Sequence, residues 1–193
     1  ERAPPSDLRA RLGLEDATVG LLVAWHPRLK GAEAAVRALA RPEVETLDPP
    51  FHLVLAGGRL PSDLRALARR LGVGRRVHDA GAHEDARVVY GAADLLVHPT
   101  FHDPCSLVCL EALAMGLPVV TTPPNGVREL MGVRGGIVLE EPGNPEAVAV
   151  ALRVLADPAL RAQTAEDARS IAAAHRLETA LDRVLDVCRA AAR

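Results

Sequence analysis

The chain has 193 residues and a net charge of −2, with 49% apolar and 25% charged residues. This balance can bury a core, which excludes a disordered tail, and the near-neutral charge disfavours a general surface for nucleic acid or anionic membranes. Three cysteines do not make a disulfide scaffold, and 2% aromatic residues exclude a stacking platform for single-stranded nucleic acid.

The predicted elements alternate short apolar strands with helices. A polar, proline-bearing linker at 1–5 and a short helix at 6–14 come first. Strands are then predicted at 18–24, 51–56, 76–80, 94–98, 118–121 and 136–139. Helices are predicted at 30–40, 61–71, 84–90, 104–115 and 127–131, and from 145 onward with a break at 157–158. Pro42 is expected to end the helix at 30–40.

Six such alternations predict one α/β domain over residues 1–193, a doubly wound parallel sheet of the Rossmann-like kind. Ligands of this fold bind at the carboxyl ends of the strands, so the loops that follow the strands hold the candidate site residues. No apolar run reaches the ~20 residues of a membrane span, and no basic-then-apolar leader opens the chain. We expect a cytoplasmic protein, with the inner face of the membrane as a second location.

The loop after the first strand carries two cations, Arg28 and Lys30, at the start of a helix, and Lys30 is the only lysine of the chain. Cations at the positive end of a helix are mildly destabilising. An anion bound between the cations and the helix end would make the electrostatic interaction favourable. A solvated basic loop is the plainer interpretation. We favour the anion site because the loop joins a strand to a helix.

The loop after the second strand contains Gly57 and Gly58. Adjacent glycines allow the backbone to approach a ligand, and they equally allow a tight turn. Neither a G-x-G-x-x-G fingerprint nor a phosphate-binding P-loop occurs in the chain. Both interpretations of the glycine pair therefore stay open.

The loop after the fourth strand leads into a helix for which Asp103 is the expected N-cap and Pro104 the first residue. The amides of the next three residues, Cys105, Ser106 and Leu107, are then free to bind a phosphate.

Glu111 lies seven residues after Pro104, on nearly the same face and about two turns deeper. The rest of that helix is apolar all round, so a buried carboxylate there needs donors. Ribose hydroxyls would supply them, and a buried arginine is the alternative partner.

A metal site is the other hypothesis for this region, since two histidines, an aspartate and two cysteines lie close in sequence: His98, His102, Asp103, Cys105 and Cys109. The histidines flank a proline turn, and the cysteines are four apart on a helix, unlike the spacing of structural zinc sites. We therefore expect no metal and small core roles for the cysteines.

Asp103-x7-Glu111 resembles the Glu-x7-Glu motif of retaining glycosyltransferases of family 4, whose GT-B fold has two facing Rossmann-like domains. The flanks resemble the same family over 93–130, ADLLVHPTFHDPCSLVCLEALAMGLPVVTTPPNGVREL. RLKG at 28–31 resembles the basic pair of the lipopolysaccharide-core glucosyltransferase-like subgroup. The resemblance covers about 18–155.

The resemblance implies that Arg28 and Lys30 neutralise the donor diphosphate, that Asp103 contacts the sugar hydroxyls and that Glu111 binds the ribose. The segment from Val77 to Gly81 would meet the base through its backbone. Arg28, Lys30 and Asp103 are thus the implied catalytic residues, with no metal or other cofactor. The implied donor-binding residues are Gly57, Gly58, Val77, Gly81, Pro104, Cys105, Ser106, Leu107 and Glu111.

Three positions depart from the family pattern. Asp103 is one methylene shorter than the usual Glu, Ser106 stands at the usual glycine of the phosphate turn, and Ala24-Trp25 replaces a Gly-Arg pair. Arg28 is the candidate substitute for that arginine.

The length corresponds to the C-terminal, donor-binding half of a GT-B enzyme, so the implied partners are an N-terminal acceptor domain, a nucleotide sugar and a glycan or lipid-linked acceptor. No nucleic acid is expected, any membrane association would come through the N-terminal domain, and the helix at 175–193 is a candidate interface with it. We expect the domain alone to transfer no sugar. A nucleotide-sugar 2-epimerase and a non-catalytic nucleotide-sugar-binding module are the alternative functions.

Overall fold

The computed structural model describes residues 7–192, and a six-stranded sheet lies at its centre. The strands are β1 (Thr18–Val23), β2 (Phe51–Ala56), β3 (Val77–Gly81), β4 (Leu95–Val97), β5 (Val119–Thr121) and β6 (Gly136–Val138). Their spatial order is β3-β2-β1-β4-β5-β6, and all neighbours are parallel. The predicted doubly wound parallel sheet is confirmed, with its order reversing between β1 and β4.

Helices cover both faces of this sheet. They are α1 (Leu8–Arg11), α2 (Ala32–Ala38), α3 (Pro42–Glu45), α4 (Ser62–Arg70), α5 (Arg87–Gly91), α6 (Leu107–Ala114), α7 (Arg128–Met131), α8 (Pro145–Ala156), α9 (Pro158–Ala174) and α10 (Leu177–Ala191). The predicted linker at 1–5 and Ser6 lie outside the described residues.

Side-chain alternation along the strands builds two cores. In β2, Phe51 and Leu53 face the core under α2, α3, α4 and α8, whereas Val54 faces the core under α1, α5, α6, α7 and α9. The four central strands, β1, β2, β4 and β5, are mostly apolar and buried on both faces, which is why apolar runs predicted them. The edge strands β3 and β6 are only partly buried.

Two helix boundaries illustrate what proline does. Asp157 caps α9 as expected, since its carboxylate accepts the Leu160 amide at 2.9 Å, and Pro158 is the first helical residue. Pro42 does more than end a helix. It begins α3, because a residue without an N–H fits the first turn and Arg41 before it is extended.

The C-terminal part of the chain breaks a second time, between α9 and α10 at His175–Arg176, which is where the predicted last helix at 175–193 begins. Leu181, Val184 and Leu185 of α10 are exposed. The interface role of this helix stays a prediction. Among residues 7–192, no helix combines the length and the apolar content needed to cross a membrane.

Candidate functional site

The candidate site lies at the carboxyl edge of the sheet, where the loops after β1 and β4 meet. This is the position at which the strand order reverses, and open α/β sheets bind ligands there. The Phe101 amide donates to the Leu29 carbonyl at 2.9 Å, and Gly31 packs directly against the Pro99 backbone. The two loops are therefore tied together before any ligand arrives.

Lys30 and Asp103 form an ion pair across these loops. Their Nζ and Oδ2 atoms are 2.8 Å apart, and the two side chains are 19% and 13% exposed. The ammonium also donates to the His102 carbonyl at 3.2 Å. Two of its three N–H groups are thus occupied, and a third remains for an anion.

His98 supports the same carboxylate from beneath. Its ring is fully buried, with Nε2 3.1 Å from Asp103 Oδ2 and 3.4 Å from Ser106 Oγ. Burial lowers the pKa of His98, although Asp103 opposes that shift. Burial would raise the pKa of Asp103, but hydrogen bonds from Lys30, His98 and Ser106 outweigh it and hold it below its ordinary value. A neutral His98 therefore donates from Nε2 to an ionised Asp103.

Acid should destabilise the fold through His98. Because its folded pKa lies below the unfolded value of 6.5, the unfolded chain binds a proton first as pH falls. The stability that His98 contributes is fully present above pH 6.5. It is lost as the pH falls from 6.5 toward the lowered pKa of the folded state, by at most ~1.4 kcal/mol per pH unit.

We expect His98→Gln to flatten the loss of unfolding free energy between pH 7.5 and 5.5, measured by urea denaturation. The exposed His26→Gln is the control and should leave the slope as in the parent chain. The His52–His78 pair, whose ring nitrogens are 2.9 Å apart, is a second source of pH-dependent stability, because burial lowers the pKa of both rings as well. The flattening should therefore be partial, and an unchanged slope contradicts the assignment to His98.

The helix after β4 begins later than predicted. α6 starts at Leu107 with Ser106 as its N-cap, so Asp103 is not the cap and Pro104 is not the first helical residue. The reason is the neighbouring segment, since the Asp103 amide donates to Pro124 at 3.2 Å and its carbonyl accepts from Gly126 at 3.1 Å. These bonds hold 103–106 in an irregular path.

The group of free amides is one residue longer than predicted. Within residues 7–192 the amides of Cys105, Ser106, Leu107 and Val108 donate no hydrogen bond, whereas that of Cys109 donates to Ser106 at 3.1 Å. Pro104 and Cys105 are exposed and Ser106 is buried. The three predicted free amides and that of Val108 thus lie together at the positive end of α6, and phosphate binding by them stays a prediction.

Arg28 does not stand beside Lys30 as an unpaired second cation. Its guanidinium forms an ion pair with Asp63 in the first turn of α4, and its side chain is 70% exposed. This pairing joins residues 35 apart in sequence, which no local pattern reveals. A role for Arg28 at an anion would require it to leave Asp63.

The two glycines after β2 lie close to the residues that follow β1. Gly57 has φ +98°, and an added Cβ would lie 3.1 Å from the Ala24 nitrogen, so the close approach is to β1's end. Its amide donates to Gly81 at 2.9 Å. Gly58 lies against Trp25, and a Cβ there would be 3.8 Å from its ring. The structure explains Gly57 by packing.

The two ends of the predicted base-binding segment lie at opposite edges of the sheet. Gly81 ends β3 at the carboxyl edge, beside Gly57, whereas Val77 begins the strand at the amino edge. Val77 is therefore remote from the edge where the loops meet, and only the Gly81 end shares it.

Glu111 is exposed rather than buried, and its partner is a phenol rather than an arginine. Its Oε2 accepts from the Tyr90 hydroxyl at 2.6 Å. Burial, with Glu111 beside it, raises the pKa of Tyr90, so the phenol stays protonated and donates. The hydrogen bond from Tyr90 thus orients the Glu111 carboxylate, which stays accessible to solvent.

Sequence reasoning missed Asn125, which is fully buried behind the site. Its amide donates to Thr121 Oγ1 at 2.9 Å and lies 3.3 Å from Cys109 Sγ. The adjacent Gly126 has no room for a side chain, because a Cβ would overlap the Pro104 carbonyl. The Asn-Gly dipeptide, a turn signature, was the available signal.

The cysteines divide between core and surface. Cys109 is buried, and burial raises the pKa of its thiol to about 12, so it stays protonated. Cys105 and Cys188 are exposed, which corrects the expectation of a core role for Cys105. The expectation of a site without metal stays a prediction.

Comparison with known proteins finds relatives of this chain and of its fold. The family described as Glycosyl transferases group 1 matches residues 17–157. The lipopolysaccharide glucosyltransferase WaaG of Escherichia coli K12 is 34% identical over 160 residues, which are 82% of this chain and 42% of WaaG. A D-inositol 3-phosphate glycosyltransferase of Catenulispora acidiphila is 37% identical over 197 residues, 95% of this chain and 47% of the relative.

Solved structures agree. A crystal structure of WaaG superposes with a TM-score of 0.80 at 32% identity, covering 93% of this chain and 49% of that one. The C-terminal domain of the group 1 protein LpcC from Francisella tularensis, 19% identical, shares the fold with a TM-score of 0.71 and is covered to 94%. The chain thus spans less than half the length of the two curated relatives named above. Fold, matched residues and relatives together place the chain in the glycosyl transferases group 1 family.

Proposed function

We propose that this chain is the donor-binding domain of a retaining glycosyltransferase that moves a hexose from a nucleoside-diphosphate sugar to a hydroxyl group. In this proposal it is the C-terminal half of a GT-B enzyme of family 4, and an N-terminal domain binds the acceptor. The LpcC domain supports the domain assignment in fold alone.

The observation that carries the proposal is the Lys30–Asp103–His98 cluster. A cation with one unused N–H and a carboxylate held below its ordinary pKa lie together at the ligand-binding edge of the sheet. Such a pair suits a sugar diphosphate, because the ammonium meets a phosphate oxygen while the carboxylate accepts from a sugar hydroxyl. His98 is then a positioning residue that orients Asp103.

The amides of Leu107 and Val108 supply the second element, two N–H donors at the start of an eight-residue helix. Backbone donors and the helix dipole stabilise an anion there. In the proposal they bind the distal phosphate, and Lys30 bridges from the other side. Arg28 binds the diphosphate only if its ion pair with Asp63 breaks.

Glu111 and the Gly81 end of β3 complete the nucleotide site. Glu111 is open to solvent and oriented by Tyr90, so its carboxylate can accept from ribose hydroxyls. The base would lie along the backbone near Gly81 and Gly57, at the same edge of the sheet.

The chemistry follows from where charge develops. The bond between the anomeric carbon and the diphosphate breaks, the acceptor oxygen bonds to the same face, and the acceptor proton leaves with the diphosphate. Lys30 and the α6 amides offset the negative charge of the leaving group, so the residues described here need no metal for that task.

The class of acceptor in this proposal is supported by the names of the relatives and not by the geometry of the site. WaaG is named as a lipopolysaccharide glucosyltransferase, and a Rhizobium meliloti relative, 32% identical over 152 residues, as a lipopolysaccharide core glycosyltransferase. These names support a glycan or lipid-linked acceptor for this chain. We place the enzyme in the cytoplasm, at the membrane's inner face when the acceptor is lipid-linked, and its unpaired thiols fit a reducing compartment.

Asp103→Asn tests the sugar role. We expect it to leave the affinity for the free nucleoside diphosphate nearly unchanged and to weaken the intact nucleotide sugar about tenfold, since a charged acceptor is lost. Calorimetric titration of both ligands measures the difference. Equal losses for the two ligands would remove Asp103 from sugar binding.

A further inference from the structure

A second concentration of charge lies away from the candidate donor site. Residues 59–76 contain six arginines and one aspartate, a net charge of +5, whereas the whole chain carries −2. This stretch forms the loop after β2, helix α4 and a 3-10 turn at Gly74–Arg76. One edge of the domain is therefore strongly basic on an otherwise acidic molecule.

Part of this basic stretch lines a cleft of about 480 Å³ along the outer edge of the sheet, between α4 and β3. Arg65, Arg69 and Arg75 project around it, and Leu60 and Val77 form part of its apolar lining. Since β3 is the edge strand, the cleft is separated from the β1–β4 crevice by β2 and β1. It is not an extension of the donor site.

Of the three arginines that line the cleft, only Arg65 has an acidic partner among the described residues. Arg65 pairs with Asp79 at 3.2 Å, and that carboxylate also accepts the Leu60 amide at 3.0 Å. The side chains of Arg69 and Arg75 form neither an ion pair nor a hydrogen bond with any group that the structure describes.

A structural explanation accounts for only one of these two cations. Arg69 lies in the last turn of α4, where a cation complements the helix dipole. Arg75 lies beyond the helix end, in the 3-10 turn, and gains nothing from that dipole. Two unpaired guanidinium groups in one cleft repel each other, and an anion between them would turn that repulsion into attraction.

We propose that this cleft binds the phosphate group of a phosphorylated molecule, with Arg69 and Arg75 as its ligands. Guanidinium groups donate two parallel N–H bonds to phosphate oxygens, a geometry that suits arginine better than lysine. Leu60 and Val77 would contact the carbon part of the ligand. The phosphate could belong to a soluble phosphomonoester or to a phospholipid headgroup.

The test follows the arginine side chains by NMR while the chain is titrated with glycerol 3-phosphate. We expect saturable shifts of the Arg69 and Arg75 Nε–H signals, and about tenfold weaker binding in Arg69→Gln/Arg75→Gln. The control Arg153→Gln/Arg183→Gln removes the same charge from exposed positions elsewhere and should bind as the parent chain does. Circular dichroism confirms that both variants are folded.

Vesicle flotation separates the two sources of phosphate. Recovery on phosphatidylglycerol vesicles but not on phosphatidylcholine vesicles, lost in the cleft variant alone, assigns the site to a lipid headgroup. Saturable glycerol 3-phosphate binding without vesicle recovery assigns it to a soluble ligand. Absence of both kinds of binding, or equal losses in both double variants, overturns the proposal.

Discussion

Lys30→Met is expected to weaken binding of a nucleoside diphosphate by about 10- to 100-fold, the range for losing a charged hydrogen bond of ~1.5–3 kcal/mol. The physical reason is the position of the ammonium. It is mostly shielded from water, two of its donors are engaged, and the third is left for a phosphate oxygen. Calorimetric titration of parent and variant chains measures the change.

A matched control separates this local effect from the loss of one positive charge. Arg153 is exposed on α8, away from the crevice, so Arg153→Met should leave the affinity unchanged. Lys30→Met also removes one partner of Asp103, so thermal unfolding should be recorded beside the titration. Equal affinities of the parent chain and Lys30→Met would show that the diphosphate binds elsewhere.

Gly31→Ala is expected to destabilise the fold by about 2–5 kcal/mol. Its φ of +76° costs a side chain ~1–2 kcal/mol, and its Cβ would overlap the Pro99 carbonyl, which adds an overpacking cost of ~1–3 kcal/mol. Pro99 opens the loop that carries Asp103, so the same substitution should also weaken ligand binding. Urea denaturation gives the unfolding free energy.

Gly72 supplies the control for this substitution. Its φ is also +76°, but no heavy atom lies within 4 Å of an added Cβ. Gly72→Ala should therefore carry the backbone cost alone, and the difference between the two variants measures the close contact of the β1 and β4 loops. If both lose the same stability, that contact is looser than described.

The centre of the sheet was predictable because β1, β2, β4 and β5 are buried on both faces. Runs such as 51–56 and 94–98 are mostly apolar and are followed by glycine or proline, so the presence of these strands and their order along the chain can be predicted from the sequence pattern. The carboxyl-edge rule then brings Lys30 and Asp103 to one place although they are 73 apart in sequence.

Local signals failed where a distant segment decides the conformation. Asp103-Pro104 has the residues of a helix start, but bonds to Pro124 and Gly126 hold that stretch irregular and delay α6 to Leu107. Helix propensity is weaker than this tertiary contact. A sequence pattern contains no information on that contact.

Apolar composition also misjudged how deeply α6 is buried. Leu107 is 66% exposed and Glu111 is exposed too, because no described element covers this side of the helix. Periodicity shows which residues are apolar, but it does not show whether a neighbour packs on them. The sequence did not predict Tyr90 as the partner of Glu111, because the two residues are 21 apart and their contact depends on how the helices pack.

The most direct test of the donor-site proposal is calorimetric titration of the chain with UDP, GDP and ADP in the presence of EDTA. The proposal predicts saturable binding of one of them, lost in Glu111→Ala and retained in Glu166→Ala, an exposed glutamate of α9. Binding that survives Glu111→Ala, or no saturable binding of any of the three, would contradict a donor site at this edge of the sheet.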